Sequence, residues 1–244
     1  GYWSVKNSER NLYAFEFLTG IRKSIDTFPV NDIVTSRKLF LHQHAGLVFA
    51  ISRRRSFIAF EMGLGKTLIG IELLEYTYKH EKLFNWWLVA PFGAQKEWER
   101  QLKMWNCKLK FSIVTSYESL HKHMEYVPEE LLPQGVIFDE SIKIKNPNAQ
   151  RSQIAYELCK KVRALNGYII LFSGAPAPKN PIDWWHQIEC IQPGFIREGD
   201  PYKFRNRYAN IIEVDHGYGK HKEIKDWKES EVAQLGKRIA PIVM

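Results

Sequence analysis

The chain has 244 residues, a formal net charge of +8, 45% apolar residues and 14% aromatic residues, with a pI near 9.3. That is one large or two small globular domains. No apolar run reaches the roughly 18 residues of a membrane span, and the opening residues Gly1 to Lys6 hold no signal-peptide core. Cys107, Cys159 and Cys190 lie far apart, without metal-ligand spacing. A sparse, odd set predicts reduced thiols in an intracellular protein. The basic balance favours a polyanionic partner, DNA or RNA first, and no membrane partner is expected.

Residues 1–38 read as a polar lead-in, helical in part between Leu12 and Ile25. Leu39-Phe40-Leu41-His42-Gln43 then precedes an apolar helix pattern from Leu47 to Ile51. Arg53-Arg54-Arg55 reads as a solvated entry to the first strand rather than a nucleic-acid contact. The run Phe57-Ile58-Ala59-Phe60 ends in Glu61-Met62-Gly63-Leu64-Gly65-Lys66-Thr67, and helical periodicity resumes at Leu68, Ile69, Ile71, Leu73 and Leu74.

Strand, glycine turn and helix together make a phosphate cradle. The turn's N–H groups and the helix N-terminus point at the anion. Gly63 and Gly65 supply positive φ and close approach. Lys66 would reach the β- and γ-phosphates, and Thr67 would offer a hydroxyl to Mg²⁺. The full pattern wants a glycine where Phe60 stands.

Further short apolar runs follow: Trp86 to Ala90, Phe111 to Val114, Val136 to Phe138, and Tyr168 to Phe172. Their continuous hydrophobicity predicts strands buried on both faces. Between them lie helical stripes, Trp98–Leu102–Trp105 and Ile154–Leu158–Val162–Leu165, read as core. Alternation of this kind predicts an α/β fold, a parallel sheet with helices on both faces. Polar residues cluster after each strand: Gly63 to Thr67, Pro91 to Gln95, Thr115 to Glu118, Asp139-Glu140 and Ser173-Gly174. Ligands of open α/β sheets bind beyond the carboxyl ends of the strands. Asp139 at the end of a buried strand can hold Mg²⁺ across from Thr67. Glu140 can polarise the water that attacks a γ-phosphate.

From residue 195 onward no strand pattern is evident, and His216 to Lys222 reads as a basic turn. Arg197, Lys203, Arg205 and Arg207 alternate with Tyr202, Phe204 and Tyr208. Such mixing can bind nucleic acid, but ordinary surface packing is the expected reading.

These residues together resemble the first RecA-like lobe of the Swi/Snf-type ATPases, double-stranded-DNA translocases of helicase superfamily 2. Leu39 to Gln43 is similar to the adenine-recognising glutamine motif. Glu61 to Thr67 is nearly the family's phosphate loop, which accounts for the missing first glycine. Leu88-Val89-Ala90-Pro91 with Trp98 resembles motif Ia, and Val114 to Leu120 resembles motif Ib. Asp139-Glu140-Ser141-Ile142-Lys143-Ile144-Lys145-Asn146 resembles motif II with its basic extension. Ser173-Gly174-Ala175-Pro176 with Asn180 and Trp185 resembles motif III.

The resemblance implies a P-loop NTPase lobe over residues 39–194, a lead-in over 1–38, and a basic tail over 195–244 leading toward a second RecA-like lobe. It implies ATP and Mg²⁺ held by Gln43, Met62, Gly63, Leu64, Gly65, Lys66 and Thr67. Lys66, Asp139 and Glu140 would be catalytic, and Thr67 and Asp139 would be metal ligands. Pro91, Phe92, Gly93, Lys96, Thr115, Ser116 and Tyr117 would meet phosphates of duplex DNA without reading sequence. Ser173 and Gly174 would couple the nucleotide site to DNA.

Ile142 and Ala175 depart from the family's histidine and threonine. A non-catalytic nucleic-acid-binding module is therefore the alternative, and a small-molecule P-loop kinase a weaker one. The arginine finger, worth roughly 10³–10⁵ in rate, lies on the second lobe, so this chain alone is expected to turn over ATP at near-background rate. The few insertions point to a bacterial or viral cytoplasmic setting rather than a nuclear one.

Overall fold

A computed structural model describes residues 33–177, 180–215 and 220–244. The predicted helix from Leu12 to Ile25 and the centre of the basic turn, 216–219, lie outside the described residues. In chain order come α1 (Leu41–Arg53), β1 (Arg55–Ile58), α2 (Lys66–Glu81), β2 (Trp86–Val89), α3 (Phe92–Met104), β3 (Ile113–Thr115) and α4 (Leu120–Tyr126). Then follow β4 (Gly135–Asp139), α5 (Gln150–Ala164), β5 (Tyr168–Phe172), α6 (Asp183–Ile191), α7 (Pro201–Tyr208), β6 (Ala209–Asp215), β7 (Lys220–Trp227) and α8 (Glu229–Ile239).

The five-stranded sheet runs β1-β5-β4-β2-β3 and every pairing is parallel. Alternating side chains split the core in two. Phe57, Trp87, Val89, Val136, Phe138, Ile169 and Leu171 face one way, onto α4, α5, α6, α7 and α8. Ile58, Trp86, Leu88, Ile137, Ile170 and Phe172 face the other, onto α1, α2 and α3. Because both faces are covered, the strands need continuous apolar runs rather than alternation, as the sequence predicts. One run departs from this: Val114 in β3 is 47% exposed, because β3 is an edge strand with one neighbour.

The segment after residue 194 belongs to this core and is not a separate tail. Ile196, Phe204, Tyr208, Leu235, Ile239, Ile242 and Val243 are buried in the same cluster as β4 and β5. Asp200 caps α7 by accepting from Tyr202 N and Lys203 N, with Pro201 at the first helical position. β6 and β7 pair as an antiparallel hairpin where no strand was expected. Its apolar residues are few, so its periodicity is weak. The chain then returns to the sheet. Phe57 N–H donates to Ile242 O (2.8 Å), Ala59 N–H to Met244 O (2.6 Å) and Met244 N–H to Phe57 O (2.8 Å), which covers the free edge of β1. Of the basic and aromatic residues of α7, Phe204 and Tyr208 are buried and Arg207 joins Arg238 of α8 on Glu198, both at 2.7 Å, while Tyr202 and Lys203 are exposed.

Candidate nucleotide and DNA site

All five strands point their carboxyl ends at one rim, so the polar segments after them become neighbours. The loop after β1 is the most exposed of these. Gly63 (φ 84°) and Gly65 (φ 76°) occupy the left-handed region. Lys66 and Thr67 open α2, so the first N–H groups of that helix face the loop. A Cβ on Gly65 would sit 2.2 Å from Gln43 Nε2. Gln43 itself is 5% exposed. Its Oε1 accepts from Phe40 N–H (3.0 Å) and its Nε2 donates to Leu64 O (3.2 Å). The glutamine expected to read adenine therefore holds the phosphate loop in this structure, because both ends of its amide are already paired. His42 Nε2 lies 3.0 Å from the same Leu64 carbonyl and donates to it.

Lys66 Nζ donates to Phe60 O (2.7 Å) and Glu61 O (3.1 Å) and has no ion-pair partner among the described residues. Burial lowers its ammonium from the usual range, and the fields of Asp139 and Glu140 oppose that shift. The lysine thus senses both carboxylates at the end of β4. Burial in turn raises Asp139, against bonds from Trp98 and the Glu140 N–H and the charge of Lys66. Burial also raises Glu140, and the neighbouring Asp139 carboxylate adds to it. A half-buried cation bonded, among the described residues, to two carbonyl dipoles and lying in the field of two crowded carboxylates suits a phosphate chain with a divalent ion.

The donor set fits magnesium. Thr67 and Asp139 offer hard oxygen atoms, and no cluster of three or more His, Cys, Asp or Glu ligands exists among the described residues. Mg²⁺ is commonly held in that way, by one or two protein oxygens and the substrate's phosphates rather than by a full cage.

Both carboxylate oxygens and the carbonyl oxygen of Asp139 are hydrogen-bonded. Oδ2 accepts from Trp98 Nε1–H (2.8 Å) and Oδ1 from Glu140 N–H (3.0 Å). Its carbonyl oxygen accepts from the Tyr117 hydroxyl (2.7 Å). Glu140 follows at φ 54°, left-handed for a non-glycine residue. The short 3₁₀ turn Ser141–Ile144 comes next, and α6 clamps it. Ser141 Oγ donates to Gln187 Oε1 (2.8 Å), His186 Nδ1–H donates to Ile144 O (2.6 Å), and Lys145 Nζ pairs with Asp183 Oδ2 (2.9 Å). Gln187 Nε2 also donates to Pro176 O (2.9 Å), tying the turn to the loop after β5. In that loop Gly174 lies so near the phosphate loop that a Cβ would stand 2.8 Å from Met62 Cγ. Ser173 is buried, and its Oγ accepts from Ala175 N–H (3.3 Å).

The expected DNA-facing residues divide. After β2, Phe92 is 70% exposed. Gly93 and Lys96 are exposed, Pro91 is half-buried, and Lys96 Nζ stands 5.0 Å above the Phe92 ring. After β3, Ser116 is half-buried, but Thr115 (4%) and Tyr117 (1%) are buried. The Thr115 and Tyr117 side chains are therefore not surface contacts. Their segment sits at the rim, but the ring of Tyr117 turns inward onto Phe138 and its hydroxyl goes to Asp139. Asp183, His186 and Gln187 are not among the residues the sequence marks for the site, and Trp98 enters there only through the motif Ia resemblance and as core. The available signal was polarity out of place: Asp183, His186 and Gln187 are buried on the inner face of α6 among Ile188, Cys190 and Ile191.

No family model matches the chain. Among curated proteins it is similar to the mouse (Mus musculus) DNA annealing helicase and endonuclease ZRANB3, with 32% identity over 196 residues, 71% of this chain and 18% of that protein. It is also similar to the Xenopus tropicalis SWI/SNF-related matrix-associated actin-dependent regulator of chromatin subfamily A-like protein 1, with 29% identity over 218 residues, 82% of this chain and 22% of that protein. The Sulfolobus solfataricus SWI2/SNF2 ATPase core in complex with dsDNA shares the fold, with a TM-score of 0.63 at 21% identity over 86% of this chain and 44% of that one. The chain thus spans about a fifth of the length of these curated relatives. They are animal proteins, which lends nothing to a bacterial or viral setting. No helix among the described residues is long and apolar enough to cross a membrane. With its ordered motifs, its parallel sheet and these similarities, the chain belongs to the Swi/Snf type of helicase superfamily 2, as a first RecA-like lobe.

Proposed function

We propose that this chain is the magnesium–ATP-binding lobe of a DNA translocase, and that it couples ATP hydrolysis to movement on duplex DNA together with a second RecA-like lobe. The observation that carries the reading is Lys66, a half-buried cation with no ion-pair partner among the described residues, held at the exposed phosphate loop in the field of Asp139 and Glu140. In use, Lys66 would leave the carbonyls of Phe60 and Glu61 for the terminal phosphates. Thr67 and Asp139 would hold Mg²⁺, which when bound would neutralise charge across the β- and γ-phosphate oxygens. Glu140 would orient and deprotonate the attacking water. Gly174, packed on Met62, and its neighbour Ser173 would sense whether the loop is filled. Phe92, Gly93, Lys96 and the backbone around Ser116 would meet DNA phosphates, giving sequence-independent, salt-sensitive binding.

Titrating magnesium–ATP into the chain and into Lys66→Ala tests this. Binding that the substitution abolishes supports the motor lobe, and turnover should stay near background without an arginine from a second lobe. Equal affinity in both proteins would sink the reading. The alternative, a nucleic-acid-binding module that has kept the fold, draws on Ile142 at the family's histidine position. It predicts DNA binding with no magnesium–ATP binding in either protein.

A further inference from the structure

The two segments placed against DNA each send one side chain to the same residue. On α3, Phe92, Gly93 and Lys96 are exposed, whereas Trp98 is 1% exposed. Its indole donates to Asp139 Oδ2 at 2.8 Å. After β3, Ser116 lies at the rim, and the next residue, Tyr117, donates to the Asp139 carbonyl at 2.7 Å. Neither ring has room to turn. The indole stacks on Phe172 (6.3 Å, 6° between planes) and meets Phe111 edge-on (5.4 Å). The phenol lies 6.2 Å from the Phe138 ring. Interiors packed in this way transmit displacement instead of absorbing it. Trp98 follows the exposed Phe92 by about 9 Å of helix rise, so α3 and its indole move as one body.

We propose that Trp98 and Tyr117 are positioning residues that carry duplex-DNA binding at the ends of β2 and β3 to Asp139, so that DNA and magnesium–ATP raise each other's affinity within this lobe. The proposal rests on the function argued above, because it takes Asp139 as the magnesium ligand and α3 as a DNA contact. A phosphate held by Phe92, Gly93 and Lys96 fixes the first turns of α3. That fixes the indole, which holds one carboxylate oxygen in place and leaves the remaining lone pairs for the ion. The Tyr117 bond fixes the backbone from which that carboxylate hangs. A purely structural role, satisfying a buried indole and phenol, would give stability without linkage between the two ligands.

The test measures that linkage in the 244-residue chain. The affinity for a non-hydrolysable ATP analogue with Mg²⁺ is measured with and without saturating duplex DNA of mixed sequence, and the DNA affinity with and without the analogue. The two ratios must agree by reciprocity. The expected ratio for the unaltered chain is about fivefold, at the lower end of usual couplings. Trp98→Phe and Tyr117→Phe each remove one donor and keep a ring. Each should bring the ratio below about twofold, and the pair should bring it to unity. Trp105→Phe removes a different indole donor of the α3 end, one that bonds Gln101, and should leave the ratio intact.

A ratio in Tyr117→Phe and Trp98→Phe equal to that of the unaltered chain would overturn the relay, as would a ratio of one in the unaltered chain when both ligands bind. Tyr117→Phe, a loss of one oxygen atom, decides the matter alone if Trp98→Phe does not fold. Nucleotide binding that survives Lys66→Ala overturns the functional reading and the relay with it. Binding lost in Lys66→Ala with an unchanged ratio in the phenylalanine variants overturns the relay only.

Discussion

The two halves of the nucleotide site are built in opposite ways. The phosphate loop, Gly63 to Thr67, stands at the surface with two glycines at positive φ, and its lysine is bonded to carbonyls of its own segment. The acidic half is locked: Asp139 takes bonds from Trp98, Tyr117 and Glu140, and the turn behind Glu140 is held by Asp183, His186 and Gln187. A loop that must wrap an arriving anion gains from few competing bonds. Carboxylates that must aim at a metal and a water gain from being fixed in advance. One half adapts and the other is preorganised.

Substitutions can break this contrast from either side. The largest effect is expected in the adaptable half. Lys66→Ala should weaken magnesium–ATP binding by roughly 100-fold, the loss of about two charge-assisted bonds. Isothermal titration measures this, and the melting temperature should hardly change, because among the described residues the lysine bonds to two carbonyls of its own loop. In the locked half the signs reverse. Gln187→Leu leaves Ser141 Oγ and the Pro176 carbonyl without partners in the core and should cost about 2 kcal/mol in urea unfolding. A cost below about 0.5 kcal/mol would show the clamp to be slack.

The next effect is a pH dependence. Burial lowers His186 to about 4, against the bond to Ile144 O. The unfolded chain therefore binds the proton first, and the stability from this group is complete above the ordinary histidine range. It is lost progressively as pH falls from about 6.5 toward 4, by about 1.4 kcal/mol at pH 5.5. Comparing urea midpoints of the unaltered chain and His186→Asn at pH 7.5 and 5.5 isolates this slope. Gly65→Ala should show the smallest effect, about 1 kcal/mol for a Cβ in the left-handed region. Part of it should return in the Gln43→Ala background, where the facing amide nitrogen is gone. Full additivity of the two would place Gln43 away from the loop.

The sequence was most legible where function is local. Lys66 and Thr67 follow their glycines directly, and Asp139 and Glu140 end an apolar strand, so the chemistry is written in adjacent letters. The strands of the sheet were legible because a doubly covered parallel sheet needs unbroken apolar runs. The β6–β7 hairpin was missed because its alternation is mixed with charge. The closure of β1 by residues 242–244 was missed because edge pairing is backbone to backbone and leaves little mark on side-chain identity. The inward turn of the Tyr117 side chain leaves no mark in the sequence, because the same Thr-Ser-Tyr segment can present either face at a strand end.

What the sequence determined by itself is the set of groups that can act on a triphosphate, and the periodicity that makes a wound sheet carry them to one rim. What only the tertiary structure decided is who holds those groups in place. Gln43 on the phosphate loop, Trp98 on Asp139 and Gln187 on Ser141 are bonds between residues distant in the chain. A buried polar group must find a partner, but its own neighbours in sequence do not say which one. That choice is made when helices settle on opposite faces of the sheet.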